Sequence, residues 1–196
     1  NMQAISTLTQ KCLLLSQGKT IFQGQTELAI NKYLQESIVK SSSYEDTESD
    51  KIPKITKIGL RTSLDNNVQV NGDPIEVVFE ISTPINLKGA CLSFQFVDSL
   101  QQPYLHVWTF DSERPMCREP GVFKVICKIP KLRLYMGNYT LTAYFTEPPG
   151  GETFQVIEQV CPFEVVMYGH HREFEWVQGT CTYIEEYEWD IQKSAS

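Results

Sequence analysis

From Ile55 onward the chain alternates apolar and polar residues with a period of two, and that pattern restricts it to paired strands. Ile75, Val77, Phe79 and Ile81 interleave with Glu76, Val78, Glu80 and Ser82, so one side of the segment is wholly apolar and the other mostly polar. Ala90, Leu92, Phe94 and Phe96 repeat the arrangement against Cys91, Ser93, Gln95 and Val97. Further runs cover 104–110, 122–129, 139–146 and 160–168. Turn-forming clusters separate them: Asn71-Gly72-Asp73-Pro74, Glu119-Pro120-Gly121 and Pro148-Pro149-Gly150-Gly151. Short strands in succession with no helical period between them predict an all-β domain, an antiparallel β-sandwich of immunoglobulin-like or jelly-roll type. Strand order stays open at this level.

The first 37 residues follow a different rhythm, that of a short α/β fragment. Met2, Ala4, Ile5 and Leu8 have helical spacing, and Lys11 to Ser16 is an apolar run of strand length that predicts a buried strand. Gly18-Lys19 forms a tight turn into a strand over Thr20 to Gln23, and Gly24 closes the hairpin. Thr26 is a good N-cap for a helix over 27–35, with Ile30, Tyr33 and Leu34 on one face. Residues 38–53 contain SSSYEDTESDK, polar and charged without apolar periodicity, and read as a linker closed by Pro53. The expected organisation is therefore a fragment over 1–37, a linker over 38–53 and a sandwich over 54–196.

With 41% hydrophobic residues there is enough apolar material for one packed domain besides the fragment. A net charge of -7 argues against nucleic acid as a partner, because such surfaces need clustered Lys and Arg. The acidic residues gather at Glu45 to Asp50 and between Glu173 and Asp190, where they read as solvated surface. No apolar run approaches the ~20 residues that a membrane-crossing helix needs. The six cysteines are widely spaced without a C-x-x-C pair, so buried free thiols are expected. Asn138-Tyr139-Thr140 fits a glycosylation sequon, read here as chance.

The order of the N-terminal elements, with Gly18, Lys19, Gly24, Tyr33 and Leu34 in place, resembles the end of ABC-transporter ATPases just after their switch-histidine loop. That histidine would precede Asn1. A phosphate-binding loop needs a glycine-rich turn ending in Gly-Lys-Ser/Thr, yet Leu13 stands where the first glycine of such a loop would lie before Gly18-Lys19-Thr20. The chain is therefore expected not to be an enzyme and to hold no cofactor, while its full-length parent would bind ATP and magnesium.

Behind this fragment and the acidic linker, the segment IPKLRLYMGNYTLTAYF adds a second resemblance. Ile129, Pro130, Leu134, Gly137, Tyr139 and Leu141, then Phe163, Val165, Gly179 and Trp189, resemble in order the C-terminal carbohydrate-binding domain of Wzt-type ATPase subunits of O-antigen polysaccharide exporters. The resemblance implies a β-sandwich that recognises a lipid-linked glycan for export. It also implies a peripheral position at the inner face of the bacterial cytoplasmic membrane, a transmembrane permease as partner, and a homodimer formed by exchange of C-terminal strands. The exchanged element would lie around Gly179 to Ile184; the alternative is that this strand completes its own sheet. Teichoic acid or capsule glycans are alternative cargoes, and a dimerisation module that touches no sugar is an alternative role.

Sugar sites pair flat aromatic rings with groups that both donate and accept hydrogen bonds. In PYLHVWTF, Tyr104, His106, Trp108 and Phe110 share one side and Leu105, Val107 and Thr109 the other. If the aliphatic side faces the core, the aromatic side is a platform on top of the sheet; the alternative buries Trp108 and Phe110. Ser93 and Gln95 on one strand and Tyr144 on another are polar or aromatic groups that would complete a shallow groove. Trp176, Tyr183, Tyr187 and Trp189 are alternative stacking groups or a dimer contact. No supported pair of catalytic carboxylates, nucleophile motif or metal set emerges, since adjacent His170 and His171 on a strand point to opposite faces.

Overall fold

In a computed structural model of the chain, the described residues are 5, 8–37, 43–47, 52–109, 111–113, 115–147, 151–170 and 175–191. An N-terminal hairpin of β1 (Lys11–Ser16) and β2 (Lys19–Gln25) leads into helix α1 (Thr26–Ser37). The turn places Gln17 at φ 48° and Gly18 at φ 77°, the positive pair that matches the twist of a two-residue hairpin. Thr26 does sit at the start of the helix, but its hydroxyl donates back to the Thr9 carbonyl at 2.9 Å, tying the helix to the segment before β1. The expected helix before Lys11 falls on residues of which Ile5 and Leu8 alone are described, with the Thr9 N–H donating to the Ile5 carbonyl. The expectation of a buried β1 is corrected in part: Cys12 and Leu14 are half-buried, but Leu13 and Leu15 on the other face are exposed, because among the described residues no second layer covers that face of the hairpin.

The sandwich consists of a four-stranded sheet, order β3-β4-β6-β9, and a five-stranded sheet, order β5-β11-β10-β7-β8. The first contains β3 (Ser43–Glu45), β4 (Lys54–Arg61), β6 (Ile75–Thr83) and β9 (Gly121–Ile129). The second contains β5 (Val68–Val70), β7 (Cys91–Asp98), β8 (Pro103–Thr109), β10 (Gly137–Thr146) and β11 (Thr153–Val166). Every pairing is antiparallel except the short parallel one between β11 and β5. Residues 43–45, expected inside a linker, instead add an edge strand to β4. A buried Lys54 ammonium donating to Asp46 at 2.9 Å holds the two together.

The core lies between the sheets, as the alternation requires. Ile75, Val77, Phe79 and Ile81 of β6 face Leu92, Phe94 and Phe96 of β7 and Leu141, Ala143 and Phe145 of β10. Phe79, Phe94, Phe96, Phe163 and Tyr139 form a chain of ring contacts with centroids 4.8–5.7 Å apart. β11 begins at Thr153, well before the expected 160, because bulges at Gln159 and Cys161, both at positive φ, break its alternation midway.

After the sandwich the chain turns back over its end. The Tyr135 N–H donates to the Thr182 carbonyl and the Ile184 N–H to the Arg133 carbonyl, while the Tyr135 hydroxyl donates to the Val177 carbonyl. Lys131 and Arg133 pair with Glu185 and Glu186. Within one chain, the segment around Gly179 to Ile184 thus lies against residues 133–135.

Candidate functional site

The outward side of the five-stranded sheet brings together five of the six expected residues. In β7, Leu92, Phe94 and Phe96 go inward and leave Ser93 and Gln95 on the outer surface. Register then fixes their neighbours. Ser93 stands opposite Trp108 of β8 and Tyr144 of β10, and Gln95 opposite His106 of β8 and Thr142 of β10. Facing residues in such pairs have Cβ atoms about 4.5–5.5 Å apart, so side chains in each row touch or nearly touch. The Tyr144 hydroxyl donates to Gln95 Oε1 at 3.3 Å, linking the rows.

Leu105 and Val107 pack against the core, which decides between the two readings of β8. Trp108 is 67% exposed, its ring centroid 5.4 Å from that of His106. Phe110 lies outside the described residues. The first row continues to Val156 of β11, so Val156, Tyr144, Ser93 and Trp108 span four strands, about 14 Å at the usual strand spacing.

Tyr104 is not part of this surface, and the expectation that it shares a face with His106 and Trp108 is corrected. The β7–β8 register shifts at Phe96/Val97: Phe96 opposes Leu105, Val97 opposes Pro103, and Tyr104 becomes the extra residue. Its ring meets Tyr139 edge-on at 6.0 Å and its hydroxyl donates to Asp98 Oδ2 at 2.9 Å. Burial, reinforced by the Asp98 carboxylate, pushes that hydroxyl up to about 12. Tyr104 therefore lines a cleft of about 1070 Å³ at the end of the sheet, whose walls come from the turns at Asn66 and Asp98, the start of β10, Lys32 in the middle of α1, the β11 bulge and the segment 178–182. The sequence pattern did not single out this cleft, since its lining residues are scattered Asn, Gln and Thr without a period.

No protein-family model and no curated protein matches the chain. Among solved structures, the C-terminal domain of Wzt is similar with a TM-score of 0.48 at 7% identity, over 74% of this chain and 87% of that one. A Niemann-Pick type C2 protein from Japanese carpenter ant has a TM-score of 0.41 at 11% identity, over 63% of this chain and 98% of that one. Chicken MD-1 complexed with lipid IVa has a TM-score of 0.33 at 10% identity, over 58% and 91%.

Among the described residues, no group of three or more His, Cys, Asp and Glu is placed to hold a metal. His170 is engaged otherwise: its Nε2 lies 2.9 Å from the Asn71 carbonyl and its ring meets Trp176; His171 and Glu173 lie outside the described residues. All six cysteines are free thiols. Cys117 and Cys161 are buried, and burial pushes them up to about 11 and about 12, whereas Cys181 is exposed. No described helix is long and apolar enough to cross a membrane.

Proposed function

We propose that the sandwich is a non-catalytic glycan-binding domain that recognises a lipid-linked polysaccharide for export, attached to the last part of an ABC ATPase. The observation that carries this reading is Trp108, a large indole left mostly exposed near the end of edge strand β8, in one row with the hydroxyls of Ser93 and Tyr144 and next to the row that holds His106 and Gln95. An apolar ring of that size is ordinarily placed in a core, and an exposed aromatic set among polar neighbours marks an interaction site. A pyranose offers an apolar C–H face to the indole and hydroxyl edges to Gln95, Ser93, His106 and Tyr144, each able to donate and accept. In the parent protein, ATP and magnesium would serve the missing part of the ATPase, and a permease would receive the glycan at the inner membrane face. The uncovered apolar residues of β1 and α1 support the view that they belong to a larger domain.

The test is titration of the chain with the producing organism's own surface polysaccharide and an unrelated one, followed by tryptophan fluorescence, with and without Trp108→Ala. Saturable binding of the native glycan alone, lost in the folded variant, is expected. Unchanged binding in the variant rejects this face.

A second reading, assembly without sugar contact, is favoured by a separate observation. Val177, Tyr183, Tyr187, Trp189 and Ile191 expose large apolar surface along the acidic C-terminal segment. A homodimer in sedimentation that dissociates when residues 177–191 are removed, together with no glycan binding, would favour it.

A further inference from the structure

We infer that the cleft at the end of the five-stranded sheet is a second binding site, for a neutral hydroxyl-rich ligand of the size of a short saccharide; the inference rests on the glycan reading above but concerns different residues. Five residues with carboxamide side chains, Asn66, Asn67, Asn138, Gln159 and Gln178, line this cleft from four separate segments. Among the described residues, none of their side-chain amides makes a hydrogen bond within the chain. Each offers two donors and an acceptor, the combination that reads sugar hydroxyl or acetamido groups.

The wall beneath them is aromatic and already committed. Tyr104 gives its proton to Asp98 and Tyr139 gives its own to the Tyr135 carbonyl at 2.9 Å, so each phenol oxygen can accept a hydrogen bond but not donate one. Asp98 is satisfied as well: Oδ1 accepts the Leu100 and Gln102 N–H groups, and Oδ2 the Tyr104 hydroxyl. These fixed groups give the cleft a shape before any ligand arrives. A volume of about 1070 Å³ is at the upper end of ordinary ligand sites.

Charge narrows the class. Two carboxylates, Asp98 and Glu164, line the cleft against one ammonium, Lys32, with no arginine. A phosphate or uronate would meet net repulsion without a bidentate partner. A fatty chain would strip water from five amides with nothing in return, a substantial cost. A neutral sugar meets neither obstacle. Tyr104 precedes His106 by two residues on β8, so cleft and outer face adjoin around the sheet's edge and one polymer could occupy both.

The experiment titrates the full chain with two- to four-residue fragments of the same polysaccharide, made by partial hydrolysis, and with inorganic phosphate. Side-chain amide signals are followed in nitrogen–proton NMR spectra and affinity by calorimetry. The expected result is movement of the cleft carboxamides with the fragments and not with phosphate. Those shifts should persist in Trp108→Ala, and affinity should fall roughly tenfold in Asn138→Ala/Gln178→Ala, two exposed positions, at two ordinary hydrogen bonds lost. Unmoved carboxamides with unchanged affinity in the double variant overturn the inference, and leave the outer face standing if Trp108→Ala abolishes polysaccharide binding. Loss in the double variant with none in Trp108→Ala supports the cleft and removes the outer face. Shifts with phosphate alone overturn the neutral class. The wild-type shifts decide the matter even if the double variant fails to fold.

Discussion

Leu13 and Leu15 share one face of β1 just as Phe94 and Phe96 share one face of β7, yet the leucines are 51% and 58% exposed and the phenylalanines 2% and 0%. The local pattern is comparable; the surroundings are not. β7 lies between two hydrogen-bonded neighbours and beneath a second sheet, whereas β1 has β2 on one side and α1 nearby. Alternation creates an apolar face, but a second layer is needed to take that face out of water, and at about 25 cal/mol per Å² the difference in stabilisation is large. The sandwich is therefore expected to behave as a cooperative unit, and the hairpin with its helix as a locally opening one.

The largest effect should appear in thiol reactivity. Cys12 is half-exposed, and its side-chain hydrogen bonds with Thr26 and Thr9 lower its thiol below the ordinary range, while Cys161 is buried and pushed up to about 12. Under native conditions a thiol-specific reagent, read by mass spectrometry, should modify Cys12 about a thousandfold or more faster than Cys161, which waits for opening of the sandwich. Equal rates would erase the distinction between the two regions.

Core truncation comes next. Phe96→Ala should lower the unfolding free energy by about 3–5 kcal/mol in urea denaturation, and Leu15→Ala by less than about 0.5 kcal/mol. A comparable loss at Leu15 would mean that β1 is covered in solution.

A smaller effect is expected where the chain joins the two regions. Asp46→Asn removes the carboxylate that the buried Lys54 ammonium donates to, and should cost about 1–3 kcal/mol in the sandwich transition. The same measurement with Glu45→Gln, whose partner Lys57 is well exposed, should change stability by less than about 0.5 kcal/mol. A null result at Asp46 would show that β3 contributes nothing to the sandwich.

The smallest effect is set by pH. Tyr104 is raised from its ordinary value to about 12, so its neutral form is favoured by folding. That contribution is complete below about pH 10 and is lost as pH rises toward about 12, where the folded hydroxyl also ionises. The urea midpoint of the sandwich should therefore fall as pH rises from about 10 toward about 12, and Tyr104→Phe should flatten the fall. Tyr139 is shifted in the same direction by burial and leaves a residual slope.

The strands of the core were legible because their in-or-out pattern is written residue by residue. β6, β7, β8, β9 and β10 lie within two residues of the expected bounds. The three-residue strands β3 and β5 were not legible, since they are too short to show a period and exist through pairing with β4 and β11. The first half of β11 was hidden by two bulges. In the candidate site, Ser93, Gln95, His106, Trp108 and Tyr144 could be placed on one side of their strands from alternation alone, although their meeting in two rows depends on register.

The sequence by itself determined that this chain builds a two-layered β domain in which one strand carries His106 and Trp108 on a single face, because a period of two fixes which side chains share a face whatever the partner. The tertiary structure alone decided that Tyr104 leaves that face and that a carboxamide-lined cleft forms beside it. A register shift belongs to a pair of strands, and a cleft closed by residues as distant as Asn66 and Thr182 belongs to none of its segments.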